Sequence, residues 1–80
     1  MAIGRGERPD AVARSLQIIE VVADMGIGTT AKEIAEQLGV PPATTYRLLN
    51  SLVAEEYLVR TADLRGFALG ARLAAMVEAA

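Results

Sequence analysis

Hydrophobic positions recur at helical spacing in four stretches of the chain and gather into short runs in two others. From Ala11 to Met25, Val12, Leu16, Ile19 and Ala23 fall at i, i+4, i+7 and i+11, and Ile18, Val22 and Met25 widen that stripe. Asp10 precedes this helix and is suited to cap it, while Gly26 and Gly28 supply the stop. Thr30-Ala31-Lys32-Glu33 has the form of a capping box, followed by the short apolar face of Ile34, Ala35 and Leu38 and by Gly39 as terminator. A third helix is predicted to begin at Pro41 or Pro42 and to run to about Glu55. At about 100° per residue its Thr45, Leu48, Leu49 and Leu52 share one side with Val53 at the margin. Ala43, Arg47, Asn50 and Ala54 point the opposite way, and Thr44 and Tyr46 lie at the edges.

Beyond that helix, residues 57–60 and 67–69 read as two short strands, with Thr61 to Gly66 connecting them and Arg65 at the tip. Leu58, Phe67 and Leu69 are expected to cover the helices. From Ala71 to Ala80 the pattern is helical again, with Leu73, Met76 and Val77 in register. The predicted fold class is therefore mainly α with a small β-wing. It is a three-helix winged helix-turn-helix over about residues 10–70, with the helix-turn-helix near 30–55 and the wing near 57–69. A further helix follows at 71–80, and residues 1–9, with two glycines and a proline, read as a flexible arm.

Composition narrows the chemistry. With 80 residues, 52% hydrophobic and 22% charged, the chain suits one small globular domain. It has neither cysteine nor histidine, which removes thiolate and imidazole ligands and the commonest general base. Redox, zinc and triad-type hydrolytic enzymes are excluded on that ground, and no cofactor or metal is expected. Glu33 with Glu36 and the adjacent Glu55-Glu56 have no partner base and read as solvated surface. The longest apolar run, Leu73 to Val77, is far short of the ~20 residues that a membrane span requires, and residues 1–10 hold no secretory signal, so a cytoplasmic location is expected. The net charge of −2 gives no overall hint of nucleic acid. Between Val40 and Gly70, however, Arg47, Arg60 and Arg65 balance Glu55, Glu56 and Asp63, and much of the acid lies earlier in the chain, at Glu20, Asp24, Glu33 and Glu36.

The residues carry a family resemblance over about 10–78. Ala13 to Glu20 (ARSLQIIE), Thr30 to Gly39 (TAKEIAEQLG), Pro41 to Leu49 (PPATTYRLL), and Tyr57-Leu58 through Phe67-Ala68-Leu69-Gly70 follow in order. This series resembles the N-terminal DNA-binding domain of IclR-type bacterial transcriptional regulators. The family often has lysine and serine where this chain has Pro42 and Ala43, and its wing commonly ends in glycine and then a basic residue, whereas here Arg65 precedes Gly66. The resemblance implies sequence-specific binding of double-stranded operator DNA by a homodimer or tetramer, with a small-molecule effector held in a further C-terminal domain. Residues 71–80 then match the start of the family's interdomain linker helix, and on that basis the chain is expected to be a fragment of a longer regulator, a native short form being the alternative.

Each candidate contact has a plainer alternative. Arg47 can donate two hydrogen bonds to guanine or grip a phosphate, against a merely solvated arginine. Thr44 and Tyr46 flank it, able to reach a phosphate or, for Thr44, a thymine methyl, while the Tyr46 ring is expected to cover Leu49 and Val53. Thr45 belongs to the core. Asn50 can read adenine but sits a turn further from the helix start. Thr30 and Lys32 lie where a helix N-terminus can bind a phosphate, Thr30 also being the cap. Arg14 resembles a family position at the DNA backbone, and Arg65 can enter a minor groove, as can Arg5 and Arg8 with less geometric support. Leu73, Met76 and Val77 are the expected dimer or linker contacts. A competing function is a winged helix used for protein–protein contact through that stripe and an acidic surface.

Overall fold

The computed structural model describes residues 10–80, so the arm expected at 1–9, with Arg5 and Arg8, lies outside the described residues. Asp10 opens helix α1 (Ala11–Met25) by accepting the N–H of Ala13 at 2.9 Å. Helix α2 (Ala31–Leu38) starts with the reciprocal pair that TAKE encodes. Thr30 Oγ1 accepts from the Glu33 amide at 3.1 Å, and Glu33 Oε1 accepts from the Thr30 amide at 2.9 Å. Gly39 ends α2 at φ 66°, a left-handed conformation that glycine adopts without Cβ strain, and this turn redirects the chain into α3 (Pro42–Ala54). Pro42 occupies the first turn of α3, where a missing N–H costs no helical bond.

Strands β1 (Leu58–Arg60) and β2 (Phe67–Leu69) pair antiparallel, with Leu58 opposite Leu69 and Arg60 opposite Phe67. A further rung joins them that the sequence pattern did not announce. Thr29 bridges to the free edge of Phe67, through Phe67 N to Thr29 O at 2.9 Å and Gly28 N to Phe67 O at 3.0 Å. The link between α1 and α2 thus acts as a one-residue third strand and holds the wing against the helices. Gly66 lies where this link crosses the wing: a Cβ there would stand 2.3 Å from the Gly28 carbonyl oxygen, so no larger residue fits without moving backbone.

Ile18, Val21 and Val22 of α1, Ala31 and Ile34 of α2, Leu48, Leu49 and Leu52 of α3, and Leu58 and Phe67 of the wing form one core. Two buried hydroxyls are satisfied within it, Thr29 Oγ1 on the Gly26 carbonyl at 2.6 Å and Thr45 Oγ1 on the Pro41 carbonyl at 3.2 Å. The expected stripe of α1 needs correction. Val12, Leu16, Ala23 and Met25 are exposed and Ile19 only half-buried, while Val21, outside the expected set, is in the core. The buried side of α1 is chosen by what packs on it, namely α2, α3 and β2. Leu69 is likewise exposed rather than covering the helices, because it borders an open hollow beside Val22, Ala23 and Ile27.

Helix α4 (Ala71–Ala79) follows β2 and is tied down only at its start. Gly70 N donates to the Tyr57 carbonyl at 2.8 Å and Arg72 N to the Glu56 carbonyl at 3.1 Å. The Arg72 guanidinium lies 5.2 Å from the Tyr57 ring centre and pairs with Glu55 at 3.1 Å. None of the residues of α4 is buried.

Candidate nucleic-acid interface

Two opposite sides of α3 have opposite character, and the helical angle explains both. Thr45, Leu48, Leu49 and Leu52 are buried, and Ala43, Arg47, Asn50 and Ala54 are exposed. The outward side leans on a neighbour at each edge. At its start, Thr44 and Arg47 line a shallow recess of about 190 Å³ together with Asp10, Ala11 and Arg14 of the α1 entrance. This brings two arginines and a hydroxyl from segments 30 residues apart onto one concave spot. Arg47 has no ion-pair partner among the described residues, so its donors are open to a ligand.

One turn further on, the outward side meets the wing. Arg60 Nη2 donates to Asn50 Oδ1 at 3.2 Å, and the same guanidinium lies 5.1 Å from the centre of the Phe67 ring. Arg14, Arg47 and Arg60 thus lie beside a single helix, and their positive charge, offset in part by Asp10 of the recess, favours an anionic partner. Arg60 joins the candidate site from outside the set expected from the sequence. The signal was available: it lies two residues after core-facing Leu58, so the strand period aims it toward α3.

The remaining candidates are less concentrated. Tyr46 is 49% exposed, so its ring covers the neighbouring apolar side chains only in part. Thr30 is half-buried with its oxygen held in the cap, and Lys32 is exposed on the first turn of α2. In the wing, Asp63 and Leu64 occupy the tip and Arg65 follows them. The Asp63 carboxylate accepts from Thr61 Oγ1 at 2.6 Å and from the Arg65 amide at 3.0 Å. Those two hydrogen bonds hold its carboxyl below the ordinary 3.8. Leu64, at φ 62° and 69% exposed, presents an apolar side chain at the tip that the sequence reading also left out.

Leu73 and Met76 of α4 do not join this interface. With Val12, Leu16, Ile19, Leu52 and Tyr57 they line a separate apolar groove of about 590 Å³ between α1, α3 and α4, and Val77 stands 76% exposed on the same helix.

The IclR helix-turn-helix domain matches residues 11–62, which holds α1, α2, α3 and β1. The chain belongs to the IclR helix-turn-helix family. Its curated relatives include the transcriptional repressor IclR of Escherichia coli (strain K12) and the acetate operon repressor of Salmonella typhimurium. Each is 30% identical over 61 residues, covering 76% of this chain and 22% of the relative. The chain thus spans about a fifth of the length of the curated relatives it matches. Among solved structures, an IclR transcriptional regulator from Alicyclobacillus acidocaldarius superimposes with a TM-score of 0.77 at 27% identity, over 86% of this chain and 28% of the other. An IclR family regulator from Brucella abortus gives 0.77 at 26%, over 96% and 31%. The mainly helical winged fold of this IclR-type domain is shared with them, and its named relatives are transcriptional regulators. They do not favour the protein–protein module as the principal function. Among the described residues no helix is long and apolar enough to cross a membrane.

Proposed function

We propose that this chain is the DNA-reading head of a sequence-specific transcriptional regulator of the IclR type. The helix-turn-helix of α2 and α3 sets the outward side of α3 into the major groove, and the wing lies at the adjacent minor groove. The observation that carries this is the convergence of Arg14, Thr44 and Arg47 on one recess, continued by Asn50 and Arg60 toward the wing. Within it Arg47 reads a base edge or fixes a phosphate, Arg14 and Thr44 meet the backbone, and Tyr46 contributes its hydroxyl from the far edge. Lys32 and the α2 N-terminus behind Thr30 approach a second phosphate, and Arg65 reaches the minor groove from the wing.

The head carries few cations, so one copy neutralises few phosphates and binds weakly. At a log–log salt slope near −0.9 per phosphate, about three contacts give a slope of roughly −3. Strong binding comes from two copies on spaced half-sites of a pseudo-palindromic operator. The apolar groove that holds Leu73 and Met76 is where a second copy of the chain docks, with Val77 at its rim, so that residues 71–80 serve as the start of a linker between heads. Effector control, in the cytoplasm, acts through a further domain of the longer regulator by changing the spacing of the heads.

Arg47→Ala tests the assignment. Because the side chain is exposed, thermal stability is expected to stay unchanged, while affinity for a half-site duplex falls on the order of tenfold or more. Undiminished duplex binding by Arg47→Ala removes α3 from the interface.

A further inference from the structure

Arg60 closes the outer end of β1 over Phe67 and at the same time fixes an asparagine on the helix beside it. A guanidinium has five N–H donors and no acceptor. The Asn50 amide can therefore meet Arg60 only through its oxygen, as it does at 3.2 Å, and its NH2 group is turned away from the arginine. Asn50 is exposed on the outward side of α3, three residues beyond Arg47.

An asparagine that reads adenine uses both ends of its amide, donating to N7 and accepting from the N6 amino group. Held by Arg60, the Asn50 oxygen has one of its two lone pairs taken, and the guanidinium beside it crowds and repels a second N–H donor approaching the other. The pair then offers donors: the Asn50 NH2 and the remaining guanidinium N–H groups. Guanine's major-groove edge carries two acceptors, N7 and O6, whereas adenine carries one acceptor and one donor.

We propose that Arg60 is a specificity-determining residue, which holds Asn50 by its oxygen and makes the two side chains a donor-rich reader that selects guanine over adenine at one half-site position. This rests on the assignment of α3 as the duplex-facing helix and deepens it. An arginine that only gripped a phosphate would instead alter affinity equally for every sequence.

Two measurements on the whole chain test this. In the free protein, the side-chain amide resonances of Asn50 are followed by NMR in the wild type, in Arg60→Ala, and in Arg60→Met, which keeps an unbranched stem over Phe67 but has no donor. Both substitutions are expected to shift them. Bound sequences are then selected at low ionic strength from duplexes randomised across a half-site. The wild type is expected to enrich guanine over adenine on the order of tenfold at one position, and both variants to bring that ratio to about twofold or less. Asn50 resonances that ignore Arg60, a guanine preference that survives both variants, or a uniform loss of affinity across all sequences each overturn the proposal. If the wild type selects nothing while the Asn50 resonances still respond, the duplex-facing assignment of α3 has failed, and the specificity role falls with it.

Discussion

The two apolar sides of α1 meet different fates. Ile18, Val21 and Val22 are closed over by α2, α3 and β2, with Ile18 and Val22 each only 1% exposed. Val12 and Leu16, one to two turns earlier, stay 68% and 55% exposed beside Leu73 and Met76 in an open groove. Both sides are hydrophobic, so hydrophobicity alone does not say which becomes core. The closed side is decided within one chain, where β2 and α2 arrive to cover it. The open side has no cover among the described residues, and under the proposed function a second copy covers it.

Four experiments break or sharpen that contrast. The largest effect is expected on the closed side. Phe67 is 2% exposed in the core, and its backbone bonds the Gly28–Thr29 link, so Phe67→Ala should cost about 3–5 kcal/mol, which chemical denaturation will read. Against a total stability of about 5–15 kcal/mol, that change brings the domain close to unfolding. Next comes the α2 entrance, where Thr30→Ala removes the cap and should cost about 1 kcal/mol by the same measurement.

On the open side, Leu16→Glu should leave folding free energy within about 0.5 kcal/mol and abolish self-association in analytical ultracentrifugation. A drop comparable to that of Phe67→Ala would mean that the groove is core after all. The smallest effect belongs to the wing tip. Because the Asp63 carboxyl lies below its ordinary value in the folded chain, its hydrogen bonds support the turn at neutral pH. That support fades as pH falls below about 3.8, toward the depressed folded value. The Arg65 amide shift should therefore stay constant at neutral pH and change only in strong acid.

Much of this was legible because it is local. Thr30 and Glu33 sit three residues apart and specify a helix start whatever surrounds them. Gly39 and the proline pair mark the turn, and the period of α3 separates Leu48 and Leu52 from Arg47 and Asn50. What the sequence concealed depends on distant segments. Val21 becomes core only because distant segments close over that side of α1, and Thr29 becomes a strand residue only by meeting Phe67. The recess of Arg14, Thr44 and Arg47 joins helices separated by a third one. The Asn50–Arg60 bond spans ten residues and the turn from α3 into β1; the strand period aims Arg60 toward α3, but which residue it meets there depends on the packing of the wing.

The central claim is that the outward side of α3, not the apolar groove, receives the partner DNA. Titrating a half-site duplex into the isotopically labelled chain and mapping the amide shifts compares the two surfaces in one experiment. The account predicts that the largest shifts fall on Arg14, Thr44, Arg47, Asn50, Arg60 and Arg65. Shifts confined to Val12, Leu16, Leu52 and Met76, with α3's polar side silent, would contradict it.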